Sequence, residues 1–447
     1  MRQAITDQLA QRALNISIKD APDPVRQVVR QCVLDTIGVT VAGLRDPAVQ
    51  LLREELEEEG GAPQAQIIGS PLRLSRQGAA LLNGMASHVL DYDDVNFALM
   101  GHPSVPVLPA ALALAEHLHA SGEALMTAFL AGYEIECGIG LLVAPGHYGA
   151  GFHATATLGT FGAAVACARL LGADETQMRH AIGIAATHAA GLKSMFGTSC
   201  KPLHAGMAAR SGLLAATLAR RGFDSRPDAL ECEQGFAATH SADFEPDKAL
   251  AAPPGGWHVL HNLFKYHASC YETHATIECA RRLQAEGRMR AEDIEQVDVR
   301  VNPYCDRICN IAEPATGLEA KFSLRLTAAM ALAGIETSDP DAFNDSLAND
   351  PTLVGLRDRV TVGFDRHIGQ GCAELRVRSR HGEVYETRHN AALPASDLDA
   401  QAQRLRGKFL RLTAHALHLG QPERLLALIS ELDGLPDVAT LARACAT

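Results

Sequence analysis

The chain is poor in aromatic side chains, which make up 5% of its 447 residues, with a single tryptophan. Its core must therefore be built from Ala, Leu, Val and Ile, and alanine at this density favours closely packed helices. Basic residues are outnumbered, 40 Lys and Arg against 52 Asp and Glu, for a net charge of −12. That balance argues against a nucleic-acid partner, which needs a basic face. An anionic ligand would have to be met by a few placed Lys, Arg and His residues inside an acidic molecule. None of the 11 cysteines forms a CxxC pair; Cys305 and Cys309 come nearest and lack a second pair. The odd count, the scatter and the lack of a secretory leader predict reduced thiols and a cytoplasmic location. No apolar run reads as long enough to span a membrane. GxSxG, P-loop and GxGxxG signatures are missing, so serine-hydrolase and nucleotide-cofactor readings have no support.

What is present is helical periodicity. Apolar residues recur at helical spacing over residues 25–43, and small residues (Gly78, Ala79, Ala80, Gly84, Ala86) dominate 75–90. Further helices are expected over 109–120, 122–142, 154–171, 175–190 and 202–221. Near residue 290 the pattern changes to alternation, in 297–301, 360–362, 373–378 and 383–387, with helices expected at 274–286 and 322–332. The helical period returns after residue 400. The expected fold is mainly α: a large all-helical domain, 1–268 completed by 400–447, with an inserted smaller α+β lid domain at 269–399. A cleft between two such domains is a common ligand site.

Four short stretches carry chemistry. The first, Leu90-Asp91-Tyr92-Asp93-Asp94, runs on to His102-Pro103-Ser104 and crowds three carboxylates and a histidine between two helices. The others are Gly151-Phe152-His153, Lys201-Pro202-Leu203-His204 and Lys265-Tyr266-His267-Ala268-Ser269-Cys270. His102, His153 and Lys201 each stand at a helix start, where free N–H groups and the dipole attract anions. Three such donors would make a carboxylate receptor, or they could be unrelated surface caps. The aspartate cluster could ligate a divalent metal with His102 and His153, orient a catalytic histidine, or be a solvated loop. Neither HxxxH nor HExxH spacing occurs, and no metal is expected. Lys265 could be a base if buried, or an ordinary surface lysine. Cys270 could be a nucleophile, but buried structural cysteine is the commoner case.

Taken together, these stretches resemble the MmgE/PrpD superfamily over nearly the whole chain. The matching residues also include Leu34-Asp35-Thr36-Ile37-Gly38, Asn83-Gly84-Met85-Ala86-Ser87-His88, His274 and Lys321-Phe322-Ser323. The resemblance implies a helical domain plus a small α+β lid, usually a homodimer, with no cofactor. Known members include 2-methylcitrate dehydratase, cis-aconitate decarboxylase and iminodisuccinate epimerase. Carried over by motif, Asp91, His102, Lys265 and Tyr148 are the catalytic candidates, and His153, Lys201, His204 and Cys270 the substrate-binding ones. Met100-Gly101-His102 and Gly146-His147-Tyr148 look most like the epimerase. Phe152 replaces a tryptophan, Leu326 stands where lyase members have a tyrosine, and Cys270 where the decarboxylase has a histidine.

The expected reaction is proton removal next to a carboxylate of a small di- or tricarboxylate, with the developing charge held by fixed donors. In the epimerase form, Lys265 and Tyr148 act on opposite faces of a stereocentre. A lyase of the dehydratase or decarboxylase type is the alternative. A polycarboxylate-binding protein without catalysis is the alternative of another class. Neither nucleic acid nor membrane is expected as a partner.

Overall fold

The computed structural model describes residues 4–287 and 290–446. The chain divides into two compact units, Met1–Phe264 with Ser396–Thr447, and Lys265–Ala395. The second unit thus begins at Lys265 rather than at 269, and the first resumes at Ser396 rather than at 400.

The first unit is a stack of helices. Its main members are Asp23–Gly43, Arg76–His88, Ser104–His117, Gly122–Val143, Ala154–Leu170, Glu175–His188 and Cys200–Arg220, joined by Leu398–Thr413 near the end of the chain. Small residues set how closely these helices approach. A Cβ on Gly84 would lie 2.8 Å from Gly206 Cα, and one on Gly206 would lie 2.3 Å from Leu81 O. The Arg76–His88 and Cys200–Arg220 helices therefore meet backbone to backbone. The first of these helices ends on His88 and the second begins beside Lys201.

Two sequence expectations need correction here. The helix expected from Pro109 begins at Ser104, with Pro109 inside it. Asp94 makes this start possible by accepting from the Ser104 N–H at 3.3 Å and from its hydroxyl at 2.6 Å. The Gly122–Val143 helix is, by length and composition, apolar enough to cross a membrane, contrary to the reading of short apolar runs. Yet 89% of its most apolar window is buried inside the protein. Glu134 and Glu136 lie on it, both buried, which marks it as a core helix.

The second unit carries a four-stranded sheet in the order Val360–Phe364, Ile294–Val301, Cys372–Ser379, Val384–Asn390. The first pairing is parallel and the other two are antiparallel. Inward-facing Val297, Val299, Val301, Leu375 and Val377 share one core with Ile277 and Leu283 of His274–Ala285 and with Leu324 and Ala328 of Leu324–Leu332. The alternation seen in the sequence is this inward and outward pattern.

Gly206→Ala should destabilise the first unit, because its methyl cannot avoid the Leu81 carbonyl. The expected loss is about 1–3 kcal/mol, read as a lowered thermal midpoint. An unchanged midpoint would mean that the two helices are free to separate.

Candidate active site

The acidic loop begins where the Arg76–His88 helix stops. Asp91 adopts a left-handed backbone conformation, φ 51°. Such a conformation costs an L-residue about 1–2 kcal/mol, and Asp is one of the few types that tolerates it. Its N–H donates to the His88 carbonyl at 3.0 Å, and its carboxylate accepts from Lys201 Nζ at 2.6 Å. Further on, Val95 and Leu263 exchange two backbone hydrogen bonds of 2.9 Å. The His102 N–H donates to Thr155 Oγ1 at 3.0 Å, which ties the end of the loop to the helix that starts after His153. Gly101 permits this approach, since a Cβ there would sit 2.9 Å from the Thr155 nitrogen.

The centre of the arrangement is Asp93, which is 1% exposed. Its oxygens lie 3.0 and 3.1 Å from His88 Nδ1, and Oδ2 lies 2.9 Å from His102 Nδ1. Burial opposes the charge on Asp93, but His102 and His88 outweigh it and hold the carboxyl well below the usual range. An ionised carboxylate only accepts, so His88 must present Nδ1–H to it, and His102 Nδ1, an ion-pair contact without hydrogen-bond alignment, is held in its N–H form by the same negative charge. The neutral form of each ring then has its lone pair on Nε2. For His102 that nitrogen lies 3.7 Å from Asp91 Oδ1, and the side chain is 13% exposed. His88 is fully enclosed, and burial lowers its pKa to about 4 in spite of Asp93. His88 therefore stays neutral and braces Asp93, while His102 is the more exposed of the two rings.

His153 completes the cluster. Its ring stacks on His88 at 5.7 Å, and Phe196 meets it edge-on at 5.0 Å. His153 Nδ1 and His204 Nδ1 are 3.0 Å apart, so one must donate and the other accept. Burial first, and then the neighbouring His88 and Lys201, keep His153 well below its ordinary pKa. Phe152 stacks on His147 with ring centres 4.8 Å apart and lies tilted against His240 at 4.7 Å. These rings buttress the peptide that carries His153.

The structure brings together Asp91, His102, Lys201, His153 and His204, but not as three free cationic donors. Lys201 is engaged by Asp91 and His102 by Asp93. Pairing has a clear cause: a part-buried charge left alone costs more than a charge with a partner. The ring of Tyr148 lies under the Lys193 ammonium, 3.5 Å from its centroid, and Lys193 also donates to the Tyr148 carbonyl at 2.7 Å. Lys265 and Cys270 belong to the second unit, where both are buried. There the Cys270 N–H donates to Lys321 O at 2.9 Å, and the thiol of Cys309 adjoins Cys270 and Cys305. Sequence reading missed His88 and Asp93 as individual site residues. The signal was a histidine five positions before a carboxylate, inside a stretch already noticed for other reasons.

His88, Asp91, Asp93 and His102 each offer one ligand atom, all within 4.8 Å of one another. A divalent cation fits that donor set by type. It would have to compete with the Lys201 ammonium for Asp91 and with two imidazole N–H groups for Asp93.

Beneath the cluster lies Asp94, whose pKa burial raises to about 7, with Ser104 opposing and Asp35 and Asp93 adding to the rise. The unfolded chain releases this proton near 3.8 and the folded one near 7, so folding retains a proton across that window. Stability from this group is complete below the lower value and is lost as pH rises through the upper one. Asp94→Asn should therefore gain thermal midpoint relative to the parent between pH 5 and pH 8. A difference that does not change with pH would show that Asp94 is ionised throughout.

The profile of the MmgE/PrpD N-terminal domain matches residues 7–249, and that of the MmgE/PrpD C-terminal domain matches 267–433. The chain is 26% identical to cis-aconitate decarboxylase of Homo sapiens, covering 99% of this chain and 94% of the relative. It is 25% identical to cis-aconitate decarboxylase of Mus musculus, covering 99% and 93%. Against cis-aconitate decarboxylase of Aspergillus terreus the identity is 24%, covering 98% and 95%.

Proposed function

We propose, for a chain that belongs to the MmgE/PrpD family, lyase chemistry on a small tricarboxylate of the aconitate type, without a resident cofactor. The observation that carries the reading is the Asp93–His102 couple, which leaves Nε2 of a part-exposed imidazole beside the Asp91–Lys201 pair. The relatives that share nearly the full length are decarboxylases. They favour the lyase alternative over the epimerase suggested by the loop motifs.

In decarboxylation the C–C bond to one carboxylate breaks, CO₂ leaves, and the electron pair stays on the substrate. That carbanion needs a proton. The imidazolium form of His102 supplies it from Nε2, and Asp93 stabilises the cation while it exists. Lys201 has three N–H donors, so its ammonium can keep Asp91 and donate to a substrate carboxylate as well. The His153–His204 pair always contains a donor and an acceptor, and it orients a second carboxylate. Fixed donors of this kind stabilise developing charge without reorganising.

The test is a panel of cis-aconitate, 2-methylcitrate and iminodisuccinate in deuterated water. The expected outcome is CO₂ release from the aconitate, with one solvent deuteron in the product. Water loss from 2-methylcitrate alone would move the assignment to a dehydratase. Inversion of iminodisuccinate without CO₂ release would restore the epimerase. Calorimetric binding of a tricarboxylate without any turnover would replace catalysis with binding.

Asp93→Asn should lower kcat by about 10²–10⁴-fold with a smaller change in KM, because an amide can hold the wrong tautomer of His102. Full activity in that variant would remove the couple from the mechanism. Activity should also survive a metal chelator, since the site's acid and base are side chains. Loss on chelation, restored by a divalent cation, would instead assign the four-ligand cluster to a metal.

A further inference from the structure

The Leu34-Asp35-Thr36-Ile37-Gly38 stretch lies on the Asp23–Gly43 helix. Asp35 is buried, and its Oδ1 lies 2.6 Å from Lys408 Nζ; the two side chains are 3% and 1% exposed. Lys408 comes from the Leu398–Thr413 helix, far along the chain. Its ammonium also donates to the Tyr92 carbonyl at 2.6 Å and lies 3.9 Å from the centre of the Tyr92 ring. Tyr92 is fully buried between Asp91 and Asp93. Gly38, one turn beyond Asp35, gives the helices room to meet, since a Cβ there would lie 3.0 Å from Phe409 Cδ2.

We propose that Lys408, held by Asp35, is a positioning residue for the Asp91–Asp93 loop. Its hydrogen bond to the Tyr92 carbonyl fixes the peptide that leads into Asp93. The same peptide follows the left-handed turn at Asp91. The two site carboxylates flank one anchored residue, so their spacing is set from behind by a buried cation. Tyr92 adds a second grip, because its ring face attracts the ammonium at the same place. A buried lysine of purely structural value would need only Asp35. The additional bond to a loop carbonyl points to the loop as what is being held. The inference rests on the proposed function only in taking this loop as catalytic.

The test is the paired variant Asp35→Asn with Lys408→Gln, which removes both charges together and avoids a lone buried ion. Its fold is checked by circular dichroism and thermal midpoint. The expected result is a fall in kcat of about 10–100-fold with KM little changed. The Nδ1–H signals of His88 and His102, seen by NMR of ring-labelled histidine, should broaden or shift. A folded variant with unaltered kcat overturns the proposal, and so does a lowered kcat with unaltered imidazole signals.

Asp35→Asn alone keeps the ammonium on the Tyr92 carbonyl and should show the same changes in weaker form. An effect in the single variant as large as in the paired one would assign the result to the lost charge and overturn the carbonyl anchor. If the paired variant fails to fold, Lys408→Arg keeps the buried charge pair and moves the donor at the Tyr92 carbonyl; a folded Lys408→Arg with unaltered kcat and imidazole signals overturns the proposal. If the parent turns over no tricarboxylate, the functional reading falls, while the imidazole signals still decide the anchor.

Discussion

One buried carboxylate facing two imidazoles is the constraint on which the site depends. Asp93 is removed from water, so it must be balanced on both sides. His88 and His102 provide that balance with their Nδ1–H groups, and in doing so their tautomers are fixed. His88 is too deeply enclosed to ionise readily, so it is a rigid support. His102 is part-exposed, and the proposed proton transfer is assigned to it. Both rings meet the same carboxylate, and they differ in depth and in the neighbourhood of Asp91, which only His102 approaches.

The second pair, Asp91 with Lys201, has a different character. It is part-exposed, and its lysine has donors to spare. Charge in this site is therefore paired in advance rather than presented bare. An arriving carboxylate adds to an existing ion pair, and the ammonium need not wait unpaired in a low-dielectric setting. Under the proposed function, this is how an acidic protein would receive an anion with few cationic groups. It also shows why MmgE/PrpD family membership narrows the reaction without fixing it. The pairs are suited to moving a proton, and the substrate decides which bond breaks.

Close helix packing serves the chemistry directly. The glycine contact between Arg76–His88 and Cys200–Arg220 places a helix end bearing His88 against a helix start bearing Lys201. Gly101 does the same for the loop and the helix that follows His153. The alanine-rich, aromatic-poor composition is thus more than a packing preference. Thin helix faces bring polar termini together, where bulky side chains would hold them apart.

Much of this was legible in the sequence. Helical period and alternation are local properties, and they gave the helical array and the strands near their observed positions. The four polar stretches stood out because carboxylates and histidines are out of place between apolar helices. Their motifs also pointed to the family. What the residues alone did not reveal was pairing. Lys201 reads as a free cation until its helix is docked against the turn at Asp91. Asp93 reads as one acid among three until two rings converge on it. Asp35 and Lys408 are 373 positions apart, and only the packing of their helices makes them a pair. Hydrophobic period records which face of a helix is buried, but not which helix will cover it, so partners across the chain are decided by tertiary structure.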